Sequence, residues 1–271
     1  MELQDVHVPT VLGRLRVRRA GTGPALLFWP SLLMDSALWT AQAEYFAGTR
    51  QVLLVDPPGH GGSEPLGREF TFEECATCVR QILDHLGLDR ADFVGNSWGG
   101  MIGGTFAARY PDRIGAAVLM NCTASPAGRR QRIEYGLLTR VARLLGGVRA
   151  PLVPSVLKAF LGPTSLRTRP HAVAAIRAAL RRINVRSVTW AVTSVVPRRP
   201  DQRGLFGLIR TPVLVVAGVQ DQTFPVAETR AMADAIPGAR FLVLDNAAHL
   251  AALEVPETVN TLIDGFLRAQ D

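Results

Sequence analysis

Ser97 stands in Gly95-Asn96-Ser97-Trp98-Gly99, which fits the pattern G-x-S-x-G. Apolar Phe93-Val94 precede it, and Gly99, Gly100, Gly103 and Gly104 follow. A strand that turns sharply into a helix brings backbones into close contact, and only small flanking residues permit that. A serine on such a turn is lifted to a helix N-terminus. There the free backbone N–H groups and the helix dipole favour developing negative charge. The chemistry this suggests is attack by a hydroxyl on an electrophilic carbon. The plainer alternative is a glycine-rich turn that merely contains a serine, and the strand-turn-helix setting weighs against it.

A serine hydroxyl is a weak nucleophile and needs a base within hydrogen-bond reach. The chain has five histidines. His7 falls in the first strand, His85 late in a helix and His171 in a helical middle segment. His60 lies in Asp56-Pro57-Pro58-Gly59-His60-Gly61-Gly62-Ser63, and His249 lies in Asn246-Ala247-Ala248-His249-Leu250, just after the last strand. Loops that follow parallel strands converge on one edge, which favours His249 as the base and leaves His60 a structural loop role. The histidine in turn needs a carboxylate to fix its tautomer and stabilise the imidazolium. Asp221, in the loop Gly218-Val219-Gln220-Asp221-Gln222-Thr223-Phe224-Pro225, fills that place, with Asp245 a weaker substitute too close to His249. The order Ser97, Asp221, His249 is the order of a serine hydrolase built on a nucleophile elbow.

The elements that must position these residues alternate. Leu3–Val8 and Arg14–Arg19 read as an opening strand pair. Ala25–Trp29, Val52–Val55, Asp92–Gly95 and Ile114–Met120 read as short buried strands. Phe72–Leu86 reads as a helix opened by the capping box Thr71/Glu74, and Trp98–Arg109 as a helix ending before Pro111. From Thr123 to Arg203 no strand alternation is clear until about Val185, and stretches such as Ala172–Ile183 carry one apolar helical face. Strand–helix order returns with Pro212–Ala217, Ala227–Ala235, Phe241–Leu244 and Pro256–Ala269. The expected fold is therefore α/β: a mostly parallel central sheet with helices on both faces, residues 1–121 and 204–271 forming the core and 122–203 a helical cap inserted over the carboxyl edge of the sheet.

The net charge of +7 is unevenly spread. Residues 122–203 hold 16 basic and 2 acidic residues, so the segment is cationic on an otherwise acidic body. Of the 30 basic residues only Lys158 is lysine, a bias that also reads as plain composition. The three cysteines, Cys75, Cys78 and Cys122, are too few for a disulfide framework, and the Cys75/Cys78 pair falls inside a helix rather than at a redox turn. No apolar run is long enough to span a bilayer, and Met1–Thr10 lacks the apolar core of a signal peptide, so a cytoplasmic location is expected.

Together these residues resemble the α/β-hydrolase superfamily over nearly the whole chain. The resemblance rests on Asp56–Ser63, the elbow Gly95–Gly99, Tyr110-Pro111-Asp112-Arg113, the loop ending Asp221-Gln222-Thr223-Phe224-Pro225, and His249 followed by Glu254-Val255-Pro256. Within the superfamily the chain is similar to the small group of enol-lactonases, esterases, cofactor-free haloperoxidase-like enzymes and carbon–carbon bond hydrolases. Many relatives carry His-Gly after the third strand, where this chain has Trp29-Pro30-Ser31-Leu32. The resemblance implies an oxyanion hole made by the backbone N–H groups of Ser31 and Trp98, since Pro30 has none to give. It also implies an acyl-enzyme mechanism with neither metal nor organic cofactor.

The expected partner is a small-molecule substrate, and the cationic cap fits an anionic or carrier-bound ester, lactone or thioester. Carbon–carbon cleavage, perhydrolysis, and cyclase or acyl-transferase chemistry use the same triad. A non-enzymatic ligand-binding role on this fold stands as a separate class. No motif or aromatic interleaving supports nucleic-acid binding, a membrane role is disfavoured, and oligomeric state is left open. Among Trp98, Trp190, Phe160 and Phe224 as candidates to line an acyl pocket, Trp98 is preferred because it adjoins the nucleophile.

Overall fold

The computed structural model describes residues 2–150 and 152–270. Strands β1 (Gln4–Thr10) and β2 (Gly13–Ala20) form an antiparallel hairpin. They are followed by β3 (Ala25–Trp29), helix α1 (Thr40–Phe46), β4 (Gln51–Val55), α2 (Phe72–His85), β5 (Ala91–Asn96), α3 (Trp98–Arg109) and β6 (Ile114–Met120). Six helical segments then intervene: α4 (Arg129–Leu144), α5 (Leu152–Phe160), α6 (Pro163–Thr168), α7 (Pro170–Arg182), α8 (Val185–Val195) and α9 (Arg203–Phe206). The chain ends with β7 (Val213–Gly218), α10 (Val226–Asp234), β8 (Arg240–Leu244), α11 (Ala251–Glu254) and α12 (Pro256–Arg268).

The eight strands form one sheet in the order β1-β2-β4-β3-β5-β6-β7-β8. Pairings from β4 through β8 are parallel, and only β1–β2 and β2–β4 are antiparallel. The central strands are apolar throughout because both faces are covered, and their alternate residues go to opposite cores. Leu27, Trp29, Phe93, Leu119 and Val215 pack with α2, α3 and α10. Leu26, Phe28, Val94, Val118 and Val216 pack with α1, α11 and α12. Helix α2 opens with the expected reciprocal cap: Thr71 Oγ1 accepts the Glu74 N–H, and the Glu74 carboxylate accepts the Thr71 N–H.

One expectation is corrected. The sequence suggests strand-like alternation from about Val185, but Val185–Val195 is helix α8, capped by the Asn184 side chain on the Arg186 and Ser187 N–H groups. Val188, Ala191, Val192 and Val195 recur at helical spacing and are all buried, so burial of one helical face overrides the β preference of the valines. Among the described residues no helix is long and apolar enough to cross a membrane.

Candidate active site

The turn between β5 and α3 holds Ser97 at φ 57° and ψ −114°, a left-handed conformation that a side chain rarely adopts. Its N–H is fixed on the Met120 carbonyl of the neighbouring strand at 2.8 Å. The glycines around it are sterically required: a Cβ on Gly95 would overlap the Gly99 carbonyl, and one on Gly99 would overlap the Trp29 carbonyl at the end of β3. The elbow is thus pressed into the sheet from below while the serine hydroxyl projects above it.

Asp221 follows β7 and His249 follows β8, so both stand at the same carboxyl edge as Ser97. His249 Nε2 lies 2.8 Å from Ser97 Oγ, and Nδ1 lies 2.9 Å from Asp221 Oδ2. The other carboxylate oxygen of Asp221 accepts the Thr223 and Phe224 N–H groups at 2.8 and 3.1 Å, which fixes the carboxylate plane. All three side chains are buried. With Asp221 accepting at Nδ1, the imidazole carries its hydrogen there and offers Nε2 as an acceptor to the serine hydroxyl.

Two asparagines that sequence reasoning passed over tie these loops together. Asn96 Nδ2 donates to Ser31 Oγ at 2.8 Å and to the His249 carbonyl at 2.7 Å. Asn121, at the end of β6, donates to the Ala248 and His249 carbonyls at 3.0 Å and accepts the Gly218 N–H at 2.8 Å. Their signal was a lone amide closing an otherwise apolar strand. Glu254 supports the same loop: its buried carboxylate accepts the Ala248 N–H at 2.9 Å, the Gly162 N–H at 3.4 Å and the Ser165 hydroxyl. Burial raises its pKa despite these donors.

Ser31 is fully buried behind the site, its hydroxyl committed to Asn96, and it does not border the cavity above Ser97. Leu32 and Leu33 do border it. Leu33 has φ 68°, and its N–H donates to His60 Nε2 at 3.1 Å, while His60 Nδ1 lies 3.0 Å from the Pro58 carbonyl. His60 therefore holds the loop after β3 in place. Burial lowers its pKa, so it stays neutral. The N–H groups of Leu32 and Trp98 have no acceptor among the described residues.

The cavity has a volume of about 200 Å³, with Ser97 and His249 in its wall. Helices α4, α5 and α8 line it, through Tyr135, Leu138, Val156, Phe160, Val192 and Val195 among others. Phe160 and Phe224 flank the His249 ring at centroid distances of 5.7 and 5.6 Å. The preference for Trp98 as a pocket residue is corrected: its indole is buried in the core, stacked on Phe70 at 5.5 Å, because the elbow turns the residue after the serine down toward the sheet. Trp190 also stays out of the cavity, under the Arg143 guanidinium at 5.4 Å.

The chain matches the family described as alpha/beta hydrolase fold over residues 24–256. It is 26% identical to 3-oxoadipate enol-lactonase 2 of Acinetobacter baylyi, over 90% of this chain and 89% of the relative. It is 29% identical to a 2-hydroxy-6-oxononadienedioate/2-hydroxy-6-oxononatrienedioate hydrolase of Paraburkholderia phymatum, over 91% of this chain and 84% of that one. Among solved structures, a thermophilic esterase from Thermogutta terrifontis with malate bound superposes with a TM-score of 0.90 at 25% identity, covering 100% of this chain and 99% of the esterase.

Proposed function

The chain belongs to the alpha/beta hydrolase family, and from that premise we propose that it is a serine hydrolase cleaving a small carboxylic ester or lactone through an acyl-enzyme. The observation that carries the reading is the unbroken chain Ser97–His249–Asp221, at 2.8 and 2.9 Å, with Ser97 and His249 bordering an apolar cavity. Ser97 Oγ attacks the carbonyl carbon while His249 Nε2 takes its proton. The oxyanion that forms is held by the Trp98 N–H and by a second N–H, which we place at Leu32, one residue beyond the position expected from the sequence. His249 then gives its proton to the leaving oxygen; in the second half it takes a proton from water as that water attacks the acyl carbon, and returns it to Ser97 Oγ as the acyl C–O bond breaks.

An acidic substrate is our reading, supported by oxoadipate and an oxononadienedioate in the names of two relatives and by malate bound to the esterase. Carbon–carbon hydrolysis uses the same triad, and the 29% identical relative keeps it as the second reading.

The test is covalent. The protein and its Ser97→Ala variant are incubated with a fluorophosphonate and weighed intact. A mass increase in the parent alone is expected. Absence of labelling in folded parent protein overturns the mechanism and favours a ligand-binding role. Aryl esters, lactones and vinylogous diketones then separate ester from carbon–carbon cleavage.

A further inference from the structure

Arg199, just after α8, borders the cavity and is only 5% exposed. Its Nε donates to the Ser125 carbonyl at 2.8 Å and its Nη2 to Gln131 Oε1 at 3.1 Å. The guanidinium lies over the Phe224 ring at 5.5 Å from the centroid. Among the described residues no carboxylate comes within 4.0 Å of it, and Nη1 has no acceptor. Arg50, the other arginine buried to this degree at 6% exposure, is paired with Asp92 at 2.6 Å. Glu228 acts on it electrostatically but forms no ion pair with it, and accepts from Thr123 Oγ1 at 2.6 Å instead. Burial lowers the Arg199 pKa to about 10, which leaves it cationic at neutral pH.

A buried cation without a counter-ion is strongly unfavourable unless something completes it. Here the guanidinium belongs to a residue that borders the cavity, beside Gln131 and Tyr135, across Phe224 from the imidazole of His249. We propose that Arg199 is the anion subsite of this cavity, binding a carboxylate at the far end of the substrate's acyl chain while the apolar wall holds the carbons between it and Ser97. A planar guanidinium with a free edge suits a carboxylate. This rests on the serine hydrolase reading and adds the substrate class: half-esters or lactones of short dicarboxylic acids.

The test compares two 4-nitrophenyl esters matched in chain length. One ends in a carboxylate and the other in its methyl ester. They are given to the parent, Arg199→Met and Arg199→Lys, with fluorophosphonate labelling of Ser97 measured in each. The parent is expected to prefer the acid. Arg199→Met should lower kcat/KM for the acid about 100-fold and for the neutral ester by less than about threefold, and Arg199→Lys should keep part of the preference. Labelling should proceed at the parent's rate in both variants. Adipate should inhibit the parent and lose its effect on Arg199→Met. Normal labelling with no preference for the acid, or equal loss on both esters, overturns the anion subsite and leaves Arg199 as a structural staple. Failure of labelling in the parent overturns the hydrolase reading instead.

Discussion

Ser97 pays for its position with backbone strain. A non-glycine residue held at φ 57° costs roughly 1–3 kcal/mol. Ser97→Ala keeps that strain, whereas Ser97→Gly relieves it and gives back up to about 1 kcal/mol through the greater freedom of the unfolded chain. Ser97→Gly is therefore expected to be more stable than Ser97→Ala by about 1 kcal/mol, a rise of roughly 2–4 °C in Tm, measured by thermal unfolding of both inactive variants. A glycine variant that melts lower would show that the elbow is not strained. At this scale the meeting of Ser97, Asp221 and His249 at one edge of the sheet was legible because each is a reactive residue type in a loop directly after an apolar strand. Asn96 and Asn121 were not, since an amide that holds loops together has the same sequence signature as one that caps a turn. Arg199 was hidden among sixteen basic residues of its segment, because nothing in the spacing separates an arginine turned into a cavity from one turned to solvent.

The loop after β3 depends on a second element, the Asp56–Ser63 turn, through His60. A protonated His60 would lose the acceptor that holds the Leu33 N–H. Its pKa is lowered in the folded protein, so below about pH 6.5 the unfolded chain binds a proton that the native chain refuses. Stability from this site is present above that pH and is lost as pH falls through it. In urea titrations at pH 7.0 and 5.5, His60→Gln should lose less stability between the two pH values than the parent does. An equal loss would remove His60 from the acid response. Because the same loop carries Leu32, the variant's kcat should fall, by up to about 100-fold, with KM little changed. The capping box of α2 was legible because its partners are local. Helix α8 was not, since the β preference of its valines and threonines masks their helical spacing, and contact with the cavity and core decides for the helix.

Taken as a whole, the molecule has two cores on either side of one sheet, and its three thiols lie inside the one that packs with α2, α3 and α10. Burial raises Cys75 and Cys122 well above an ordinary thiol, and Cys78 to about 11. Native protein is expected to give no reaction with Ellman's reagent within an hour and three equivalents in guanidinium chloride; a fast-reacting thiol in the native state would revive a redox reading of Cys75 and Cys78. The parallel architecture was legible from buried strand runs, while the lining of the cavity was not, because the middle segment declares helices but not where they pack.

Helices α4 to α9 all lie within a single connection between β6 and β7, which are neighbours in the sheet. A connection of this kind has only to leave one strand and enter the next, so its length and sequence are free to drift without moving the β6–β7 register. The cavity wall, carried largely by that segment, can be inherited separately from the residues at the strand ends, and descendants of one ancestor can reshape the cavity while keeping Ser97, Asp221 and His249 in place.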